Sequence, residues 1–299
     1  MARRTSLINH IEFVGLRLAL GFFRLWGLDR ASAIGGSFAR FLGPKLGVTR
    51  RARRNIHAAM PDLTAEEIER IVGDMWENLG RTMAEYAYLE DFAEAEKDRV
   101  TLENVETPLE LVKTKAVLLV SGHFSNWELM PVAMRVLGVE GGEIYRHANN
   151  PFVNEWMIEL RERATGCVQI PKGGEGARVL MRLVKQNKII AMLADQKMND
   201  GIESRFFGMR AMTPAAPAGL AVRYNLPLIM ATMERHDGAH FTLRCEEPLI
   251  ADPSADRMSE IMRLTQTMND RLEAQIRRRP HEWLWLHNRW PDWEIAQRN

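Results

Sequence analysis

His123 and Glu128 stand five positions apart in the segment SGHFSNWELMP, residues 121–131. A neutral imidazole can take a proton from an attacking hydroxyl. A carboxylate on its other ring nitrogen would fix the tautomer and stabilise the imidazolium that forms. The same His-x4-acid spacing recurs at His57 and Asp62 and at His287 and Asp292, so spacing alone selects nothing. Context does. Only His123 follows a buried apolar run and a glycine, which puts it at the carboxyl end of a sheet strand, where α/β folds place their sites. His57 follows an arginine-rich helical stretch, and His287 falls in a tryptophan-rich tail. Glu128 is expected in the first turn of the next helix, where the helix dipole favours its ionised form. A capped turn carrying a structural histidine is the competing reading of the same residues. GxSxG, Walker, HExxH and GxGxxG patterns are all absent, which points to a substrate hydroxyl as the nucleophile. Cys167 and Cys245 are far apart and form no CxxC pair. A disulfide scaffold and a cysteine zinc site are therefore not expected, and no metal or cofactor is.

These residues need elements to hold them. Residues 115–120, KAVLLV, read as a buried strand, as do 188–194 and 227–232, with a short strand at 142–145. Residues 241–245 alternate as an exposed or edge strand should. Helical spacing marks 126–137, a helix opened by Pro151 and stopped at Gly166, then 173–187, 214–224 and a long late helix through Met258, Leu272 and Ile276. Thr64 and Glu67 make a capping-box pair before a helix over 64–89. Strands alternating with helices predict an α/β fold with a central, largely parallel sheet flanked by helices. The first 90 residues read as wholly helical.

Net charge is only +1, but residues 1–60 hold eleven arginines and lysines against Glu12 and Asp29. Such clusters seek phosphates, in nucleic acid or in anionic lipid headgroups. Residues 7–28 are mostly apolar but interrupted by Glu12, Arg17 and Arg24, too broken for a spanning helix of roughly 20 residues. His10, Arg17 and Arg24 share one helical face, opposite Phe13, Leu16, Leu20, Phe23 and Gly27. That pattern suits a helix lying in the membrane interface, with packing on the protein's own core as the alternative. Arg3 and Arg4 on one side and Arg50–Arg54 on the other would keep both ends on the cytoplasmic side. The expected division is a basic amphipathic membrane-associated segment over 1–60 and an α/β domain over 61–299.

Taken together, HFSNWE, YRHANNP at 145–151, LRER at 160–163, LADQ at 193–196, FFG at 206–208 and HEWLWLHNRW at 281–290 occur in the order seen in lipid A biosynthesis acyltransferases, which the chain resembles. That family resembles glycerol-phosphate acyltransferases in fold and in its His-x4-acid pair. The resemblance implies acyl transfer from an acyl carrier protein thioester to a hydroxyl of a lipid A precursor, in lipopolysaccharide biosynthesis, at the cytoplasmic face of the inner membrane. It implies His123 as base, Glu128 as its partner and Arg161 as an oxyanion donor, with Arg163 as the competing arginine. Arg146 is expected on a substrate phosphate or sugar carboxylate. Asn126, Trp127, Asn150, Asp195 and Gln196 are expected to shape the pocket, and Phe206 and Phe207 to line the acyl channel. Trp283, Trp285 and Trp290 are expected to pack against the sheet rather than form an interfacial belt. The anionic membrane surface is the expected third partner, and nucleic acid is not expected, since aromatic–basic recognition motifs are absent. Another glycolipid or glycerophospholipid acceptor, a lipid hydrolase, and a non-catalytic basic membrane-binding or nucleic-acid-binding protein remain the alternatives.

Overall fold

The computed structural model describes residues 2–296, with side chains from residue 7 onward. The flanking Arg3 and Arg4 side chains thus lie outside the described residues. Helix α1 (Ala2–Arg24) is followed by α2 (Leu28–Leu42), α3 (Thr49–Ala59) and α4 (Ala65–Glu85). The anticipated capping box opens α4: Thr64 accepts from the Glu67 amide while the Glu67 carboxylate accepts from the Thr64 amide. Helices α2 and α4 cross at glycines. A Cβ on Gly80 would stand 2.2 Å from the Gly35 carbonyl oxygen, and one on Gly35 2.5 Å from that of Gly80, so nothing larger fits between these backbones.

The α/β part runs β1 (Val100–Glu103), α5 (Glu106–Val112), β2 (Val117–Ser121), α6 (Leu129–Val136), β3 (Gly141–Tyr145), α7 (Pro151–Thr165), β4 (Val168–Pro171), α8 (Gly174–Lys185) and β5 (Ile189–Leu193). A hairpin of β6 (Ile202–Phe206) and β7 (Met209–Thr213) precedes α9 (Ala216–Tyr224), β8 (Leu228–Arg235), β9 (Phe241–Cys245), α10 (Arg257–Arg278) and the short α11 (Asp292–Ala296). Seven strands form one sheet in the order β1-β9-β8-β2-β5-β3-β4, parallel throughout except for β8 against β9. This is the α/β fold the alternation of apolar runs predicted. Helices cover both faces, so β2 is buried along its whole length, as a central parallel strand must be.

Two expectations are corrected. Strand β9 is not an edge, because β1, which carries no strong apolar pattern, pairs along its outer side. The face of α1 expected to meet lipid instead docks on the protein. Leu20 is buried, Leu16 and Phe23 pack against the same core, and Phe13 meets Phe152. Arg17 lies over Trp156 and Arg24 pairs with Asp91. A second apolar stripe, Leu7, Ile11, Val14, Leu18, Phe22 and Leu25, faces outward, and its spacing is also helical.

The basic cluster is largely consumed internally. Arg40 pairs with Asp74 and Glu77, Arg53 with Glu69 and Arg54 with Asp292. Arg51 and Asn55 of α3 donate to carbonyls of the tail at Leu286, Trp285 and His287. Among the described residues, no helix is long and apolar enough to cross a membrane.

Candidate active site

Strands β2 and β5 are parallel neighbours with Ser121 opposite Leu193, and the Ala194 amide donates to the Ser121 carbonyl. The two chains therefore leave the sheet side by side, carrying His123 on one and Asp195 on the other. Gly122 lets them approach: a Cβ there would stand 2.8 Å from the Phe124 ring and 3.2 Å from the Asp195 Cβ. The turn after His123 is clamped from both sides. Ser125 has φ 50°, donates its amide to the Glu282 carbonyl, and accepts at its own carbonyl from the Thr82 hydroxyl. Phe124 bridges to Trp283.

The carboxylate on the His123 ring is that of Asp195. Nδ1 of His123 lies 2.8 Å from Asp195 Oδ1, the His123 amide donates to Oδ2 at 2.9 Å, and the Trp283 indole donates to Oδ2 at 2.7 Å. Burial works against charge on Asp195, but His123 and these donors hold its carboxyl well below the usual carboxylate range. An ionised Asp195 requires the imidazole proton on Nδ1 and leaves Nε2 as the free acceptor.

Glu128 does not reach His123. It precedes α6 as its N-cap residue and is fully covered. Arg161 of α7 bonds it through Nε at 2.7 Å and Nη2 at 2.5 Å, and the Trp127 indole donates to it at 3.0 Å. Burial favours the neutral carboxyl, yet Arg161 holds Glu128 below its ordinary value, with Tyr86 as a further donor. Five residues of a tight turn followed by a helix start carry the carboxylate past the imidazole and toward the neighbouring helix.

A cavity of about 620 Å³ opens onto these groups, lined by His123, Trp127, Glu128, Arg161, Gln196 and His287 around its chemical end. It runs along β3 and β5 past Glu143, Ile144, Ala191 and Leu193 to Met130 and Pro131. Arg146, Lys172 and Lys197 add positive charge to its wall. Glu143, bonded to the Gln169 amide, is pushed up to about 7 by burial and by the nearby Glu128.

Of the residues singled out from the sequence, His123, Glu128, Arg161, Trp127, Arg146 and Gln196 are thus gathered at one cavity, and Asp195 lies directly behind His123. The others are elsewhere. Asn126 is buried with its amide on Glu85, and Asn150 caps α7 while its amide reaches Asn9 and Glu12 on α1. Arg163 is half-exposed and pairs with Glu90. Phe206 and Phe207 do not line the cavity. They are buried in an aromatic core with Trp283, Trp285 and Trp290, which places the tryptophans inside as expected. His287 is the site residue that sequence reasoning passed over. Its place in a tryptophan-rich tail concealed that the tail returns to the mouth of the sheet.

A His–carboxylate pair thus stands at the carboxyl ends of adjacent parallel strands, facing the cavity, an arrangement that can take a proton from a hydroxyl or from water. The family model for bacterial lipid A biosynthesis acyltransferase matches residues 4–292, and the chain belongs to that family. It is accordingly an acyltransferase. No curated protein matches the chain. Among solved structures, the 1-acyl-sn-glycerophosphate acyltransferase PlsC from Thermotoga maritima aligns over 89% of this chain and 98% of its own, at 14% identity and a TM-score of 0.37.

Proposed function

We propose that the enzyme transfers a fatty acyl group from an acyl carrier protein thioester to a hydroxyl of a lipid A precursor, at an anionic membrane surface on the cytoplasmic side of the inner membrane, in lipopolysaccharide biosynthesis. The observation that carries the chemistry is the Nδ1–Asp195 bond, which leaves His123 Nε2 as a lone-pair acceptor at the cavity. The acceptor hydroxyl gives its proton to Nε2 as its oxygen attacks the thioester carbonyl. The tetrahedral intermediate then collapses, the C–S bond breaks, and the departing thiolate takes the proton from Nε2. Arg161, held by Glu128 at the cavity wall, is the candidate oxyanion donor through N–H groups that Glu128 leaves free. Such a donor is worth on the order of 10²–10³ in rate. Arg146, Lys172 and Lys197 suit the phosphates of acceptor or donor.

Attachment to the membrane fits the outward stripe of α1 together with Phe38, Phe41, Leu42 and Leu46, all exposed, beside Lys45, whose ammonium lies 3.6 Å from the centre of the Phe41 ring. The mode expected is peripheral, with both ends of the chain on one face. The direct test is purified enzyme with acyl carrier proteins of several chain lengths and a lipid A precursor, read by mass spectrometry. Acyl ester on the precursor, lost in His123→Ala and strongly reduced in Asp195→Asn, supports the reading. Turnover with acyl glycerophosphate acceptors alone would replace it.

A further inference from the structure

Three cations on one helix have no acidic partner. Residues 172–187 hold Lys172, Arg178, Arg182 and Lys185 against Glu175 alone. Arg178, Arg182 and Lys185 are exposed and stand at i, i+4 and i+7 on α8, so they form one stripe. The inner face of the helix, Val179, Leu180, Leu183 and Val184, packs into the core. Among the described residues none of the three cations is in an ion pair. The ion pairs that flank this stretch in sequence are Arg163 with Glu90 and Lys188 with Glu140. Arg40, Arg53 and Arg54 of the amino-terminal helices, by contrast, are each paired.

An open, shallow groove of about 630 Å³ runs along this stripe, lined by the three cations with the apolar Ala177 and Met181. At the amino end of α8, Lys172 lines the catalytic cavity together with Arg146 and Lys197, all three exposed and without ion-pair partners among the described residues. A helix of this length extends about 18 Å, so positive surface continues from the mouth of the cavity along one side of the molecule. Two observations select what it meets. No residue from 146 to 197 is among the large apolar side chains that the protein exposes, so the surface has charge without the apolar anchors of a membrane face. The two cores lie on opposite faces of the sheet, with Leu118 and Val120 of β2 in one and Val117 and Leu119 in the other. Helix α8 packs on the first and α1 on the second, so α8 looks away from a bilayer met by the outward stripe of α1. An acidic amphipathic helix of another protein suits the groove, with carboxylates opposite the cations and small apolar side chains over Ala177 and Met181.

We propose that the α8 groove docks an acidic helix of the carrier protein that delivers the acyl thioester. The inference rests on the carrier-thioester reading above. A carrier must stay outside while its acyl arm enters the cavity, and α8 begins where the cavity opens. Complementary charge here acts on encounter and affinity, and leaves the chemical step to His123 and Asp195.

The experiment uses the full chain and the apo form of an acidic acyl carrier protein, which has no thiol arm and binds only through its surface. Binding is read by fluorescence anisotropy, alongside steady-state transfer from the acylated carrier. Arg178→Glu with Arg182→Glu is compared with wild type and with Arg70→Glu plus Lys97→Glu, a pair of exposed positions elsewhere that changes net charge equally. Circular dichroism checks folding. The α8 pair is expected to raise Kd for the apo carrier and KM for the acylated carrier about tenfold, the effect of losing and reversing two exposed ion pairs. Its kcat and acceptor KM should be unchanged. Both wild-type constants should rise with salt, and those of the α8 pair less steeply. Unchanged Kd and KM in the folded α8 pair overturn the proposal. Equal weakening by the control pair does so too, since net charge alone would then matter. Loss of sedimentation with anionic vesicles while carrier binding stays intact makes the groove a membrane surface and overturns it as well. If wild type transfers from acyl-pantetheine but not from the acylated carrier, the carrier reading itself has failed, and this inference with it.

Discussion

At the scale of single residues, two carboxylates near one histidine divide the work by geometry. Asp195 is bonded to the imidazole and Glu128 to a guanidinium. Asp195→Asn keeps the shape but loses the charge that orients Nδ1–H and stabilises the imidazolium. Its kcat is expected to fall by about 10²–10⁴ with acceptor KM little changed, measured by steady-state transfer. Glu128→Ala should behave differently. It strands Arg161 in a buried position, and breaking such a pair costs about 3–5 kcal/mol, so thermal unfolding should shift down along with activity. The double variant Glu128→Leu with Arg161→Met removes both charges. It should regain most of the lost stability and remain inactive, which separates the pair's structural contribution from its chemistry. Should the double variant recover turnover, neither residue touches the reaction.

At the scale of elements, α1 carries apolar residues on two faces, and only one is satisfied by the protein. Ile11→Asp with Leu18→Asp alters exposed positions and should leave folding intact while moving the protein from pellet to supernatant in sedimentation with anionic vesicles. Leu20→Asp alters the docked face and should lower stability, since it puts a carboxylate in place of a buried apolar side chain of the core. Equal vesicle binding by the double aspartate variant would remove α1 as the anchor. The crossing of α2 and α4 makes a sharper demand. Gly80→Ala drives a methyl into the Gly35 carbonyl, where backbone cannot yield as a side chain can. A loss of about 1–3 kcal/mol or more is expected in chemical denaturation.

Across the whole molecule, buried charge couples stability to pH. Glu143 is held near 7 against an ordinary value of 4.5, so the fold favours its protonated form. Its stabilising contribution is complete below about pH 4.5 and is lost as pH rises through about 7, amounting to at most about 3 kcal/mol. Wild-type Tm should therefore carry a downward component between pH 5 and 8 that is absent in Glu143→Gln. Parallel pH curves for the two proteins would show that the carboxyl does not titrate in this range. A second buried network, Glu85 with Arg235, Ser32 and Asn126, ties α2 and α4 to β8 and to the turn that carries His123. The turn that carries His123 is therefore braced by the helical amino-terminal region.

Much of this was legible in the residues themselves. The apolar runs around 117, 189 and 228, the capping box at Thr64, Pro151 and Gly166 at the ends of α7, and the placement of His123 after a strand all follow from local rules of periodicity, capping and φ preference. Local rules do not state which strands are neighbours. Asp195 became the partner of His123 because β5 lies beside β2, and His287 joined them because the tail folds back under α3. Those are contacts across 72 and 91 positions. Glu128, close in sequence, was drawn off by Arg161 because a tight turn and helix start point it at α7. The amphipathic pattern of α1 was visible, but not which apolar face the core would take, since either one could be buried. Only the tertiary structure decides between equivalent local choices, because the energy that separates them comes from surfaces that are far apart along the chain.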